Sequence, residues 1–279
     1  MTSMTKRVLT TAITLPLLFI IIYFMPYYSY AAFSALAVLT AIAASIEMRG
    51  LFEKGGVTLH PSVPLLIGLL PLVQWLDIAC EPSLPIVNLT MVALALLFFS
   101  MELVMGKVDH YKGSLARISA KAFLVIYPGL LITYIQRLTS LPYAGEALLL
   151  FFLLIFGNDV FAFLFGMWLG KGNRGVVAVS PNKSLAGFIG GTVSAMALGL
   201  LFCLFVPGIK DQVTLPAALV LGFATATAAN IGDLIESAFK RSVDVKDSGH
   251  IIPGRGGLLD SIDSMLVGAP IFWLLLTIL

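Results

Sequence analysis

Long apolar segments, each close to the length of a membrane-spanning helix, follow one another along the whole chain. A helix needs about 20 mainly apolar residues to cross the hydrocarbon core of a bilayer. The third segment is short and contains two prolines, whereas the sixth carries Asn158 and Asp159 in its interior. The pattern predicts an all-α, polytopic integral membrane protein with about nine transmembrane helices: Val8–Met25, Ser29–Glu47, Ser62–Ala79, Leu84–Met105, Ala120–Ile135, Gly145–Leu169, Leu185–Val206, Thr214–Gly232 and Ile262–Leu279.

The composition supports this fold class and excludes a soluble globular domain. Mean hydropathy is +0.99, and 59% of the residues are hydrophobic while only 11% are charged. The net charge of +2 gives no reason to expect nucleic acid as a partner. Cys80 and Cys203 have neither the spacing of a zinc site nor that of a disulfide framework, and are interpreted as ordinary apolar side chains.

The distribution of the basic residues predicts the orientation of the helices. With the N-terminus in the cytosol, 15 of the 17 Lys and Arg residues fall in cytosolic segments, and only Arg137 and Lys210 fall outside. Because positive charge is retained on the cytosolic side, nine spans with N-in and C-out are favoured. Lys6 and Arg7 precede the first apolar run, but no small-x-small cleavage site follows it, so an uncleaved first span is expected.

The polar residues inside the predicted membrane region are concentrated in the second half of the chain. We therefore predict one transmembrane domain, 1–279, in which residues 1–143 are packing helices and residues 144–279 form the catalytic half. Two polar loops that contain Gly and Lys, Gly170–Ser184 and Lys240–Ser261, follow the sixth span. Both are predicted on the cytosolic side, where they could form one site.

Three acids near the last two helices are the candidate metal ligands. Asp233 ends an apolar helix, and Asp260 and Asp263 are three residues apart at the start of the last one. Mg²⁺ takes few protein carboxylates and completes its shell with substrate phosphates, so Asp233, Asp260 and Asp263 could hold it. The alternative is that Asp260 and Asp263 only stabilise the N-terminus of the last helix.

Asp159 is a further catalytic candidate because of its place inside a span. An ionised side chain at the centre of a membrane helix costs roughly 2.5–3.5 kcal/mol on translocon scales, so it is retained mainly for function. The structural alternative is a buried pair with a lysine.

Basic and glycine residues of the two loops are the candidate phosphate ligands. Ser180-Pro181-Asn182-Lys183-Ser184 precedes the seventh helix, and backbone N–H groups at a helix start together with a lysine form an anion cradle. Glycines allow the backbone to approach a ligand, and a guanidinium can bind phosphate through two hydrogen bonds. The alternative is ordinary basic flanking of membrane helices. The predicted substrate-binding residues are Ser180, Lys183, Lys240, Arg241, Lys246, Asp247, Arg255, Gly256 and Gly257.

The segment Ser237–Asp263 resembles the signature of the phosphatidate cytidylyltransferases (CDP-diacylglycerol synthases). Gly232-Asp233-Leu234 with Glu236-Ser237, and the Ser180–Ser184 segment, are similar to two upstream pieces of the same pattern. The likeness covers the C-terminal half, and there are two departures: Arg255 replaces a histidine of the signature, and Ser261 replaces an arginine. The signature residues in register are Ser237, Phe239, Lys240, Arg241, Lys246, Asp247, Gly249, Pro253, Gly256, Gly257, Asp260 and Asp263.

The resemblance implies transfer of a cytidylyl group from CTP to phosphatidate, which gives CDP-diacylglycerol and pyrophosphate and requires Mg²⁺. It implies catalytic roles for Asp159, Lys183, Asp233 and Asp260, with Asp263 supporting the metal and Asp159 orienting a base or a second cation. It further implies a homodimer in a bacterial-type plasma (inner) membrane, in contact with membrane lipid, with the active site facing the cytosol.

Three other functions were weighed. A CDP-alcohol phosphatidyltransferase is discounted because the chain contains no D-G-x-x-A-R sequence. An ion-coupled transporter would have polar residues along both halves of a permeation route, whereas here they cluster towards one predicted side. A catalytically silent paralogue with a scaffold or regulatory role stays open because of Arg255 and Ser261.

Overall fold

The computed structural model describes the backbone of residues 3–175, 177–254 and 256–279, and the side chains of these residues except 3–11 and 109. Its regular elements in these ranges are helices, and no β-strand is formed there, which confirms the all-α class. Short 3₁₀ turns and a π-helical segment join several of the helices. The helices are α1 Ser3–Phe24, α2 Tyr27–Lys54, α3 Val63–Ile67, α4 Leu69–Cys80, α5 Ile86–Met105, α6 Ser114–Leu124, α7 Leu131–Arg137, α8 Ala144–Leu169, α9 Leu185–Phe205, α10 Pro207–Lys210, α11 Leu215–Ser242 and α12 Leu259–Ile278.

Within the described residues, eight helical stretches are long and apolar enough to cross a membrane, so this is a membrane protein. They coincide with the second to ninth predicted spans. The described apolar part of α1, Ala12–Phe24, is shorter than a span, so a ninth crossing and the N-in/C-out orientation stay predictions. The eight stretches are Tyr27–Lys54, Val63–Cys80, Ile86–Val108, Ser114–Ser140, Ala144–Gly172, Leu185–Phe205, Leu215–Ser242 and Leu259–Ile278.

The third predicted span tolerates its two prolines because both lie near helix starts. Pro64 is in the first turn of α3 and Pro71 in the first turn of α4, where the backbone N–H groups have no intrahelical partner. The two helices meet at Gly68, whose Cα approaches α2 so closely that a Cβ would lie 2.6 Å from Ile42 Cγ1. This span is therefore two short helices that pack against α2.

The chain divides into two compact units. The first comprises Met1–Arg137 and Ser242–Ser261, and the second comprises Leu138–Arg241 and Ile262–Leu279. In the first unit, α2 packs against α3, α4, α6 and α7. The predicted single domain, with packing helices up to residue 143, stays a prediction.

Glycines bring the helices of the second unit close together, as is common in membrane helix pairs. A Cβ on Gly191 of α9 would lie 2.8 Å from the backbone oxygen of Asn158 in α8. A Cβ on Gly222 of α11 would lie 2.7 Å from Met196 Cα of α9. On Gly232 it would lie 2.5 Å from the backbone oxygen of Asp263 in α12. The order of packing is therefore α8, α9, α11 and α12.

A buried ion cluster joins α5 and α6 in the first unit. Glu102 is 4% exposed and Lys121 is 3% exposed. Glu102 Oε1 accepts hydrogen bonds from Arg117 Nε at 2.9 Å and Nη2 at 2.6 Å, and Oε2 accepts one from Lys121 Nζ at 3.0 Å. Each carboxylate oxygen thus neutralises a different cation.

We expect Glu102→Gln to lower the free energy of unfolding by about 3 kcal/mol, because it leaves the buried Lys121 and the partly buried Arg117 facing a neutral amide. Thermal unfolding in detergent measures the change. Glu53→Gln is the matched control, since Glu53 forms only an exposed i,i+4 pair with Arg49, worth about 0.5 kcal/mol. Equal effects of the two substitutions would contradict a stabilising role for the buried cluster.

Candidate functional site

A cavity of about 620 Å³ in the second unit gathers three of the four predicted catalytic residues. Asp159 of α8, Lys183 at the entrance of α9 and Asp233 of α11 all line it. Arg174, Asn182 and Asn230 add polar groups that the motif reasoning did not select. Apolar side chains, among them Phe163 and Met167, complete the wall. A lining that combines charged and polar side chains with apolar ones suits a ligand with an anionic head and an apolar body.

Local backbone structure fixes Lys183 at the entrance of α9. The Lys183 N–H donates to the Ser180 carbonyl at 3.0 Å and closes a turn with Pro181 in its second position. The next residue, Ser184, is the N-cap, and its Oγ accepts a hydrogen bond from the Gly187 N–H at 3.1 Å. The predicted site residue Ser180 is therefore part of the turn that presents Lys183.

The preceding loop is tied back to the same point. The Gly175 N–H donates to the Lys183 carbonyl at 3.2 Å, and the Leu185 N–H donates to the Asn173 carbonyl at 3.1 Å. These two bonds pair the loop with the residues that flank Ser184. As a result, Arg174 is brought to the cavity that Lys183 lines.

Lys183 and Asp233 form an ion pair between Nζ and Oδ2. Lys183 Nζ also lies 5.7 Å from the centroid of the Phe188 ring, within the range of a cation–π contact. Both charged side chains are partly exposed, so the pair can open to a phosphate ligand. An anion that binds Lys183 and a cation that binds Asp233 would replace this pair with a substrate complex.

Asp159 lies next to a pair of hydrogen-bonded asparagines, of which Asn158 is buried and Asn230 is half-buried. Asn158 is fully buried, and its Nδ2 donates to Asn230 Oδ1 of α11 at 3.0 Å. The same nitrogen lies 3.4 Å from Asp159 Oδ1. The Asp159 side chain is exposed and lines the cavity, although its helix is a candidate membrane span. The asparagine bridge thus fixes the place where α8 presents Asp159.

Asp263 lies in an acidic part of the second unit. It is 6% exposed, and its Oδ1 accepts a hydrogen bond from the Ser264 N–H at 2.6 Å. The charged groups that act on it electrostatically are the carboxylates of Asp233, Glu236 and Asp159. A cluster of carboxylates favours a cation, and carboxylate oxygens are the ligands that Mg²⁺ prefers. The donor set therefore fits the predicted metal.

No group of three or more His, Cys, Asp or Glu side chains in the described part of the chain is arranged to hold a metal ion unaided. This agrees with magnesium chemistry, in which one or two carboxylates are completed by waters and substrate phosphates. Asp233 belongs to the second unit and Asp260 to the first, so their predicted sharing of one ion stays a prediction.

Lys240 and Arg241, two of the predicted substrate-binding residues, lie in the last turn of α11. Lys240 forms an i,i+4 ion pair with Glu236, which is fully buried, while Arg241 is exposed in the same last turn. The pairing gives Lys240 a role in neutralising Glu236. Substrate binding by Lys240 and Arg241 stays a prediction.

The loop before α12, in the first unit, folds around the fourth predicted catalytic residue. Asp260 Oδ2 accepts hydrogen bonds from the Ser248 N–H at 2.9 Å, the Ser248 hydroxyl at 2.9 Å and the Gly257 N–H at 2.7 Å. Gly256 has φ +108°, and a Cβ there would lie 2.8 Å from the same oxygen. Gly256 and Gly257 thus allow the backbone to close on Asp260.

The other predicted residues of this loop, Lys246 and Asp247, are exposed. Arg255 lies outside the described residues, so its predicted phosphate contact stays a prediction.

Sequence reasoning missed Glu47, which lies in α2 and is 6% exposed. Its carboxylate accepts hydrogen bonds from the N–H groups of Leu258 and Leu259, and its Oε2 lies 3.2 Å from the Ser248 hydroxyl, which donates to Asp260. An acid inside an apolar helix is itself a signal of function. Glu47 was not selected because the predicted second span ends at this residue, which places it at the membrane surface instead of inside the helix.

The sequence profile of a known family matches almost the whole chain. The match covers residues 5–279, and the family is described as the cytidylyltransferase family. The chain belongs to the cytidylyltransferase family. The predicted family resemblance is therefore confirmed, and it extends beyond the C-terminal half to the N-terminal helices.

Curated relatives of this cytidylyltransferase-family chain include enzymes named phosphatidate cytidylyltransferase. One from Haemophilus influenzae is 38% identical over 157 residues, which is 54% of this chain and 54% of the relative. One from Staphylococcus saprophyticus is 36% identical over 148 residues, 53% of this chain and 54% of the relative. An uncharacterized protein from Escherichia coli, YnbB, is 39% identical over 131 residues, 46% and 42% of the two chains. The chain spans about half the length of the curated relatives it matches.

In this family member Ser261, one of the two departures from the signature, lies in the first turn of α12. Its N–H donates to the Leu258 carbonyl at 2.9 Å, and its Oγ lies 3.5 Å from the Gly257 carbonyl oxygen. The contacts of Ser261 are thus with the helix start itself.

Proposed function

We propose that the chain transfers the cytidylyl group of CTP to phosphatidate, or to a closely related lipid phosphate, and releases pyrophosphate. The observation that carries this proposal is the Lys183–Asp233 ion pair in the cavity of the second unit. Family membership and the names of the relatives support the reaction type. The acidic groups and the lysine are the two kinds of group that a metal–nucleotide substrate requires.

The reaction joins two anions, so the residues must position and neutralise them. An oxygen of the lipid phosphate attacks the α-phosphorus of CTP, a new P–O bond forms, and the bond to the bridging oxygen of pyrophosphate breaks. Placing both reactants in line removes much of the entropic barrier. Lys183, with Arg174 beside the same cavity, supplies fixed positive charge where the negative charge of the transition state develops.

Magnesium is the expected cofactor, with Asp233, Asp260 and Asp263 as its ligands and Asp159 as the candidate for a base or a second cation. When bound, the ion would supply Lewis-acid neutralisation of phosphate oxygens. Asp233 contributes an oxygen at the cavity wall, and the Asn158 side-chain amide lies 3.4 Å from Asp159 Oδ1. Asp263 interacts electrostatically with Asp233, which fits a supporting role at the same cation.

We place the protein in a bacterial-type plasma membrane, as a homodimer, with the site open to the cytosol and to membrane lipid. Bacterial relatives and eight apolar helices support the membrane location. The basic residues of the loop that carries Lys183 and of the last turn of α11, which carries Arg241, support a cytosolic site. It also fits CTP, a charged nucleotide that cannot cross the bilayer unaided.

Membranes that contain the protein, supplied with labelled CTP, Mg²⁺ and phosphatidate, should form labelled lipid. Absence of labelled lipid with every lipid phosphate tried would overturn the proposal. Lysophosphatidate and diacylglycerol pyrophosphate serve as alternative acceptors, and diacylglycerol, which has no phosphate, serves as the negative one.

In the same assay Asp260→Asn should reduce turnover by at least about a hundredfold. The three donors to Oδ2 surround a negative charge, and the neutral amide of asparagine removes that charge. Asp244→Asn is the matched control, because Asp244 is an exposed acid of the same loop with φ 53°, a conformation that Asn also tolerates. Full activity of Asp260→Asn would refute the role of this acid.

A further inference from the structure

A carboxylate from α2 meets the start of α12 inside the first unit. Glu47 Oε1 accepts a hydrogen bond from the Leu258 N–H at 2.9 Å, and Oε2 accepts one from the Leu259 N–H at 2.8 Å. The first N–H groups of a helix have no intrahelical acceptor and carry a partial positive charge. Glu47 satisfies two of these donors and is itself stabilised by them, which compensates the burial of its charge.

Glu47 is connected to Asp260 through a single side chain. The Ser248 hydroxyl lies 3.2 Å from Glu47 Oε2 and 2.9 Å from Asp260 Oδ2. The Ser248 N–H also donates to Asp260 Oδ2. The position of the Asp260 carboxylate therefore depends on Ser248 and on the helix start, both of which contact Glu47.

The loop closes on Glu47 with no room for further side chains. A Cβ on Gly249 would overlap Glu47 Oε1, and a Cβ on Gly257 would overlap Ser248 Oγ and Glu47 Oε2. Two glycines of the recognised signature are thus required by a residue outside it. This part of the loop therefore packs directly against the Glu47 side chain.

We propose that Glu47 is a positioning residue, which holds the described parts of the loop before α12, residues 248–254 and 256–259, in the conformation that presents Asp260. The expected effect of Glu47 on turnover rests on the cytidylyl transfer proposed above. The expected effect of Glu47 on the loop does not, because its contacts with the loop are formed without any substrate. The two consequences can be measured separately.

Hydrogen exchange of the protein in lipid nanodiscs tests the loop. In Glu47→Gln one carboxylate oxygen becomes an NH₂ group, so the N–H of either Leu258 or Leu259 loses its acceptor. Amides in the peptide that covers residues 248–259 should exchange at least about tenfold faster, since a hydrogen bond to a charged group is lost. Glu53→Gln, a matched substitution on the exposed side of the same helix, should leave this peptide unchanged.

Turnover of the same preparations tests the catalytic consequence. Glu47→Gln should lower kcat at least about tenfold and raise the half-saturating Mg²⁺ concentration, because Asp260 is no longer fixed. Glu47→Asp keeps both oxygens on a shorter side chain and should restore part of both values. A purely structural role would change the amount of folded protein but not the magnesium requirement of each folded molecule.

The two measurements together decide whether Glu47 holds the loop and whether this affects turnover. Unchanged exchange in Glu47→Gln would overturn the proposal whatever the activity, and faster exchange with wild-type kcat and magnesium dependence would overturn its catalytic part. If the wild-type protein forms no labelled lipid, the proposed function fails, and exchange alone decides whether Glu47 holds the loop. If Glu47→Gln does not fold, the same two measurements on Glu47→Asp decide.

Discussion

Asp233→Asn is expected to abolish cytidylyl transfer, with a loss in turnover of at least about a thousandfold. Asp233 lines the cavity and pairs with Lys183. The neutral amide removes an expected metal ligand and leaves the lysine without its partner. Incorporation of labelled CTP into lipid, measured over a range of Mg²⁺ concentrations, gives the result.

Asp211→Asn is the matched control for this substitution. Asp211 is an exposed acid that directly follows α10 in the second unit, away from the residues that line the cavity. Its replacement should leave turnover within about twofold of the wild type, as is usual for exposed positions. Retention of more than about a tenth of wild-type activity in Asp233→Asn, at any magnesium concentration, would remove Asp233 from the site.

Lys183→Ala should reduce kcat/KM for CTP by about a hundredfold to a thousandfold. The substitution deletes one of the two cations that line the cavity among the described residues, Arg174 being the other, and leaves the Asp233 carboxylate without the charge that it now contacts. Lys183→Arg keeps the charge, but its planar, longer head cannot occupy the same place beside Phe188, so it should recover only part of the loss. Steady-state kinetics with CTP as the varied substrate separates the variants.

Lys171→Ala serves as the comparison for the lysine. Lys171 is exposed in the turn that follows α8 and does not line the cavity. It carries the same formal charge in the same unit, so a general effect of net charge on CTP would lower kcat/KM in both variants. Equal losses at Lys171 and Lys183 would show that the Lys183–Asp233 pair has no specific role.

Hydropathy located the membrane helices well but not their ends. The eighth predicted span stops at Gly232, whereas α11 continues to Ser242 and buries Glu236 and Ser237 on one face. In the same way α2 continues past Glu47 to Lys54. A hydropathy window ends where charge begins, but a helix continues wherever its polar side chains find partners. Asp233 and Glu236 lie in such an extension, and Glu47 lies at the boundary of another.

The site was predictable only as far as the motifs reach. Spacing indicated Lys183 and Asp233 separately, but their ion pair joins residues from α9 and α11, which only tertiary packing brings together. Spacing also indicated Asp260, yet the three donors around its Oδ2 depend on how the preceding loop folds. Glu47 belongs to none of the motifs. Neither its contacts nor the reason why a glycine is needed at position 249 could therefore be derived from the sequence.

Under the proposed function, the close approach of α8 and α9 limits how the cavity could be redesigned for another lipid acceptor. A Cβ on Gly187 would lie 2.8 Å from the carbonyl oxygen of Ala162, so the two backbones leave no side chain that could be trimmed to gain space. Phe163 and Met167 line the same cavity with large, exposed side chains. Engineering of acceptor preference should therefore start from these two positions, where volume can be altered while the helix pair is left intact.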